Sequence, residues 1–139
     1  MAEGSGRREK MAERIESFRN LKVYQTTFNL QQEIFEISKG FPKEELYSLT
    51  DQIRRSSRSI GANVAEAWHK RRYQAHFVSK LTDSDAEQAE TQHWIDSAMA
   101  CGYISYETHR TLIEKSMKIG RMIGSMMAKP ESFCRQFVK

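Results

Sequence analysis

The sequence is poor in everything that builds cross-links, hairpins or membrane spans. Its 139 residues include two cysteines, two prolines and seven glycines. Two thiols are too few for a disulfide framework, and residues 1–10 carry no apolar stretch of the kind that opens a secretory signal. Cys101 and Cys134 are therefore expected as reduced thiols of a cytoplasmic protein. Apolar runs end after a few residues, far short of the ~20 that a membrane-crossing helix needs, so no membrane partner is expected. No Asn-Gly or Asp-Gly pair occurs, and no alternating segment is long enough to compete as a strand. A Gly-rich phosphate loop, a His-Glu-x-x-His motif and a Cys-x-x-Cys pair are missing too, which starts every enzymatic reading low.

Helical periodicity is what remains. In segment 20–39, Val23, Thr27, Leu30, Ile34 and Ile37 share one helical row, which Tyr24, Phe28 and Phe35 widen. Gly40 and Pro42 predict its end. Glu44 and Glu45 open a second helix at the positive end of its dipole. Its row reads Leu46, Leu49, Ile53, Ser56, Ile60, Val64 and Trp68. Serines with Gly61, Ala62 and Ala65 keep this face narrow, so a neighbouring backbone is expected to come close. His69, Lys70, Arg71 and Arg72 read as a joint. A third helix over 73–101 places Phe77, Leu81, Ser84, Ala89, Ile95, Ala98 and Met99 inward, and Gly102 ends it. Ser105 caps a fourth, which carries Leu112, Ile113, Met117, Ile119, Met122, Ile123, Met126 and Met127 until Lys129 and Pro130 stop it. Four amphipathic segments with short connectors predict an all-α fold, an antiparallel up-down four-helix bundle over 20–129. A flexible extension, 1–19, precedes it. A tail, 130–139, follows and contains Phe133 and Phe137.

Catalytic candidates are weak. A dinuclear carboxylate site in a bundle uses Glu-x-x-His pairs with further inward carboxylates. Glu90 and His93 have that spacing, but one such pair would not complete a site, and no metal or other cofactor is expected. Cys101 has no partner and reads as a small hydrophobe. Two polar features say more. Gln52, Arg55, Ser59, Asn63 and Glu66 step by three or four and form one stripe, either a ligand groove or, as favoured, a structural network pairing Arg55 with Glu87 or Glu90. Arg54, Arg58, Lys70, Arg71 and Arg72, with Trp68 and Tyr73 beside them, are candidate phosphate contacts; the plainer alternative is a solvated joint. The net charge of +4 permits a nucleic-acid partner without requiring one. The acidic run at 83–90 lacks calcium-loop spacing and reads as a solvated face or the partner of neighbouring arginines.

The run Leu49-Thr50-Asp51-Gln52-Ile53-Arg54-Arg55-Ser56-Ser57-Arg58-Ser59-Ile60-Gly61-Ala62-Asn63-Val64-Ala65-Glu66-Ala67-Trp68 resembles the signature of bacterial four-helix bundle proteins. These are also called intervening-sequence proteins, because some are encoded within large-subunit ribosomal RNA genes. The connector 40–45, then 70–73, 77–81, Ala86-Glu87, Glu90-Thr91-Gln92 with Trp94, and Cys101-Gly102-Tyr103 are similar to one branch of that family in the same order. Gly61 stands where many members carry proline, and Ala67 where many carry glycine. The resemblance implies a bundle assembled into a ring, typically a homopentamer. It also implies kinship with accessory proteins of diversity-generating retroelements, basic rings thought to bind RNA or DNA and a reverse transcriptase. No catalytic residue comes with it. The readings carried forward are a non-enzymatic nucleic-acid-binding accessory factor and, as the alternative, a protein-interaction scaffold.

Overall fold

In the computed structural model, which describes residues 15–134, the four rows become four helices. They are α1 (Lys22–Ser38), α2 (Asp51–His69), α3 (Gln74–Ala100) and α4 (Tyr106–Ala128). No strand occurs among the described residues. Each helix packs against its neighbours in the chain, and α4 closes the circuit on α1, which is the up-down arrangement. Expectations for residues 1–14 and 135–139, Phe137 among them, lie outside the described residues.

The ends of the helices follow from local chemistry. At Gly102 the chain takes φ +78, the only positive φ among the described residues. The N–H of Gly102 donates to the carbonyl of Met99, and that of Tyr103 to the carbonyl of Ala98. This paired closure of a helix end favours glycine because a side chain is strained at that φ. Ser105 Oγ then accepts from the N–H of Thr108 and starts α4. Gly40 closes α1 differently, through an ordinary turn. The second helix does not begin at Glu44 as one element: a 3₁₀ turn (Lys43–Glu45) and a π turn (Leu46–Thr50) precede α2. The changed winding keeps Leu49 in the core and leaves Leu46, expected inside, 42% exposed.

Inward positions on α3 are Phe77, Leu81, Ser84, Gln88, Thr91, Ile95 and Ala98, steps of four and three throughout. That is the 3.5-residue period of helices packed like a coiled coil. Ala89, expected inside, is exposed, and the polar Gln88 and Thr91 take the inward places. On α4 the same register buries Ser116 and exposes Met117, another expected core residue. Register wins over polarity because hydroxyls can satisfy themselves within the helix. Thr91 Oγ1 lies 2.8 Å from the carbonyl of Glu87, and Ser116 Oγ 2.8 Å from that of Leu112.

Packing extends past 20–129 at both ends. Ser17 caps a 3₁₀ turn (Phe18–Asn20), and Ile15 and Phe18 lie against the core. A second 3₁₀ turn (Pro130–Ser132) brings Phe133 against Phe77 and leads to the buried Cys134. The two connectors 39–50 and 101–105 share one end of the bundle, where Phe41 packs near Tyr103. The joint 70–73 and the two outer turns share the other, where Phe18 lies near His69.

Candidate nucleic-acid interface

Helix α2 places its polar residues according to which neighbour each faces. Successive residues differ by about 100° around a helix, so Arg54 and Arg55 point in different directions. Arg55 turns to α3: Nη2 lies 2.5 Å from Glu90 Oε2, and Nη1 3.7 Å from Glu87 Oε1. Glu90 Oε2 also accepts from the indole N–H of Trp94 at 3.1 Å, so the acid is held from two sides.

The rest of the expected stripe is in separate pieces. Ser59 Oγ donates to the carbonyl of Arg55, and Asn63 Nδ2 donates to the carbonyl of Ser59, both within α2. Glu66 lies 3.4 Å from Lys80, which also meets Asp83. Gln52 lines a surface hollow with Asp51, Arg54, Arg55, Arg58 and Ser59, with a volume of about 510 Å³. A stripe three or four residues apart is continuous along the helix, but its members reach different partners.

Arg54 and Arg58 lean towards α1. Their guanidinium carbons lie 4.8 and 5.6 Å from the centre of the Phe35 ring, and Arg54 Nε donates to Ser38 Oγ at 2.7 Å. Neither makes an ion pair among the described residues. The other three candidate cations stand at the far end of α2. Arg71 stacks 3.8 Å from Trp68 and donates from Nη1 to the Trp68 carbonyl, a cation placed on the negative end of the helix. Arg72 lies 5.9 Å from the Tyr73 ring, and Lys70 is exposed. Arg58 and Lys70 are twelve residues apart, roughly 18 Å along a helix. The five cations are therefore two groups, not one patch.

A row of rings runs between the two groups, and two of them, Tyr24 and Phe28 of α1, are read from the sequence as widening the core. Phe18 meets Tyr24 edge-on at 4.8 Å, Tyr24 lies 6.1 Å from Phe28, and Phe28 is 43% exposed. Their helical spacing was legible; their exposure depended on the small α2 face opposite.

Glu66 and His69 repeat the Glu-x-x-His spacing, a second copy that the sequence reading passed over. Both are exposed, on α2, while His93 is exposed on α3. Among the described residues no three His, Cys, Asp or Glu side chains gather in a way that would hold a metal ion. His109 instead lies 2.7 Å from Asp96, joining α4 to α3. No helix of the described residues is long and apolar enough to cross a membrane.

Comparison with curated proteins gave no match. Among solved structures, the chain is similar to a protein of unknown function from the S23 ribosomal protein family of Bacteroides thetaiotaomicron. The two are 27% identical with a TM-score of 0.69, over 76% of this chain and 95% of that one. That likeness extends the four-helix architecture to a relative, and the sequence signature on α2 lies inside the region covered by a family model. The model of the 23S rRNA-intervening sequence proteins matches residues 19–125, and the chain belongs to that family.

Proposed function

We propose that this protein binds nucleic acid as a non-enzymatic accessory factor, through a cationic surface that self-assembly repeats. The observation that carries the reading is the pair Arg54 and Arg58, which lie on the outer side of α2 without a carboxylate partner among the described residues. Arginines already stacked on a ring have lost part of their freedom before a phosphate arrives, so less is lost on binding. Lys70, with Arg71 and Arg72, supplies a second cationic group just past the end of the same helix. Family membership and the S23 relative support an RNA setting. A homo-oligomer, with the pentamer as first choice, would multiply a modest single-chain charge. A reverse transcriptase is the protein partner that the resemblance suggests.

The test is fluorescence anisotropy of a labelled RNA across a salt series. Each lost phosphate contact should flatten the slope of log K against log salt by roughly 0.7–0.9. Replacing Arg54 and Arg58 together by alanine should therefore remove roughly 1.5 from the slope. Charge reversal at Lys70, Arg71 and Arg72 should weaken binding further. If the arginine pair leaves both affinity and slope unchanged, the reading is wrong. The scaffold alternative draws on Leu46, Tyr47 and Tyr106, exposed large side chains around the connector end of the bundle. A stable homo-oligomer that shifts no RNA or DNA would favour it.

A further inference from the structure

Tyr24 and Phe28 of α1 lean over the small residues Gly61, Ala62 and Ala65 of α2. They leave a groove of about 330 Å³, walled by rings and closed at one end by Arg58. Arg58 belongs to this groove and equally to the polar hollow that holds Arg54. A phosphate held by Arg54 and Arg58 would thus present its own base to the exposed ring of Phe28. Beyond Phe28 the rings continue through Tyr24 and Phe18 to His69, beside Lys70. Cation, aromatic row and cation follow one another along a single α1–α2 seam.

From this juxtaposition we infer that the seam binds unpaired nucleotides, stacking bases on the aromatic row while the backbone runs between the two cationic groups. The inference rests on the reading of Arg54 and Arg58 as phosphate contacts and names the form of nucleic acid they hold. Charge and apolar surface decide together. An apolar helix laid in the groove would strip water from Arg58 without replacing its hydrogen bonds. A duplex would satisfy the arginines but keeps its base faces stacked inside, out of reach of Phe28. A single strand offers both an anionic backbone and free base faces, the combination that single-strand-binding proteins exploit.

The experiment compares a labelled, unstructured oligoribonucleotide with its duplex by anisotropy, on the full-length protein. Loss of one stacking ring should weaken single-strand binding by roughly fivefold or more, since each stacked base contributes about 1–3 kcal/mol. Phe28→Ala should show that loss for the single strand only, with an unchanged salt slope, and Phe28→Trp should restore it. Ala62→Gln, which fills the groove from an exposed helical position, should give the same selective loss and covers the case in which Phe28→Ala fails to fold. If the arginine pair weakens binding but neither groove variant does, the inference falls while the phosphate reading stands. If neither set matters, both fall. If the groove variants change the oligomeric mass in sedimentation velocity instead, the seam is a contact between copies and the inference is overturned.

Discussion

A methyl group at position 61 tests how tightly α1 and α2 are joined. A Cβ there would sit 2.9 Å from Thr27 Oγ1 and 3.6 Å from Tyr24 Cε1. The first distance is shorter than real Cβ contacts, and the atom it meets is not free to swing away. Thr27 is fully buried and β-branched, and its hydroxyl donates to the Tyr24 carbonyl at 2.7 Å. Gly61→Ala gains about 1 kcal/mol of helix propensity and incurs about 1–3 kcal/mol of overpacking. Gly124, on α4, is the control, because an added Cβ meets nothing within 4 Å. Gly124→Ala gains the same propensity with no packing cost.

The difference between the two variants therefore isolates the packing term, expected near 2 kcal/mol in favour of Gly124→Ala. In thermal unfolding that separates the two midpoints by roughly 6–10 °C at this chain length. Urea unfolding followed by far-ultraviolet circular dichroism, at matched protein concentration, gives the free energies directly. Adding Thr27→Ala should rescue Gly61→Ala in part, since the new methyl then occupies the room the hydroxyl leaves, with a coupling of about 1 kcal/mol. If Gly61→Ala stabilises the protein as much as Gly124→Ala does, the close approach of the two helices does not constrain position 61, and the explanation of the small-residue face fails.

Three further outcomes follow from individual contacts. The Tyr103 hydroxyl donates to Glu45 Oε2 at 2.7 Å, which pushes the phenol up to about 12, while the bonds from Tyr103 and Ser48 hold Glu45 below its ordinary value. A raised phenol stabilises the fold fully below its unfolded value near 10 and loses that contribution as pH climbs to about 12. Phenolate absorbance of the wild type should thus show one late-titrating tyrosine that Tyr103→Phe lacks, and Tyr103→Phe should lose less stability over that alkaline window; the lowered Glu45 acts in the opposite sense, its contribution disappearing as acid protonates it. Thr91→Val keeps shape but removes the hydroxyl 2.9 Å from buried Ser56 Oγ, so chemical unfolding should show a loss of about 1–2 kcal/mol, largely recovered by adding Ser56→Ala. Cys101 is exposed and Cys134 is buried with its thiol pushed up by desolvation, so a thiol reagent should modify one cysteine fast and the other only on unfolding; two equally fast thiols would contradict the packing of the C-terminal turn.

Most of the fold was legible because the rows of α1 and α2 are apolar where they are buried. Val23, Leu30 and Ile34, or Ile53, Ile60 and Val64, announce their face by composition as well as by spacing. On α3 the two signals part. The 3.5-residue register passes through Gln88 and Thr91, so choosing residues by polarity leads to Ala89, one position off the seam. Buried hydroxyls that bond their own helix are invisible to a hydrophobic pattern. The candidate site suffered from a different blindness. Arg58 and Lys70 look like one cluster in a chain of 139 residues, yet the rigid helix between them sets them apart. Tyr24 and Phe28 have core spacing, and only the slenderness of the α2 face opposite leaves a groove there.

Three arginines on α2 divide between pairing with acids and facing outward unpaired. Arg54, Arg55 and Arg58 are near neighbours in sequence, and the acids, 18 against 22 basic residues, are numerous enough to pair with all three. Position decides otherwise. The α3 side of α2 meets Glu87 and Glu90, and Arg55, one step around the helix from Arg54, is drawn to them. Helix α1 carries Glu33 and Glu36, but Glu33 pairs with Lys115 of α4, and Glu36 with Lys39 one turn along. Asp51, which lines the hollow, makes no ion pair with either arginine among the described residues. Arg54 and Arg58 are left with an aromatic ring and a serine hydroxyl, partners that orient a guanidinium without neutralising it. An uncompensated pair held in place beside open rings is a poor contribution to the stability of a lone bundle. As a surface for a phosphate backbone it is well prepared, and the proposed self-assembly would multiply it without changing a residue.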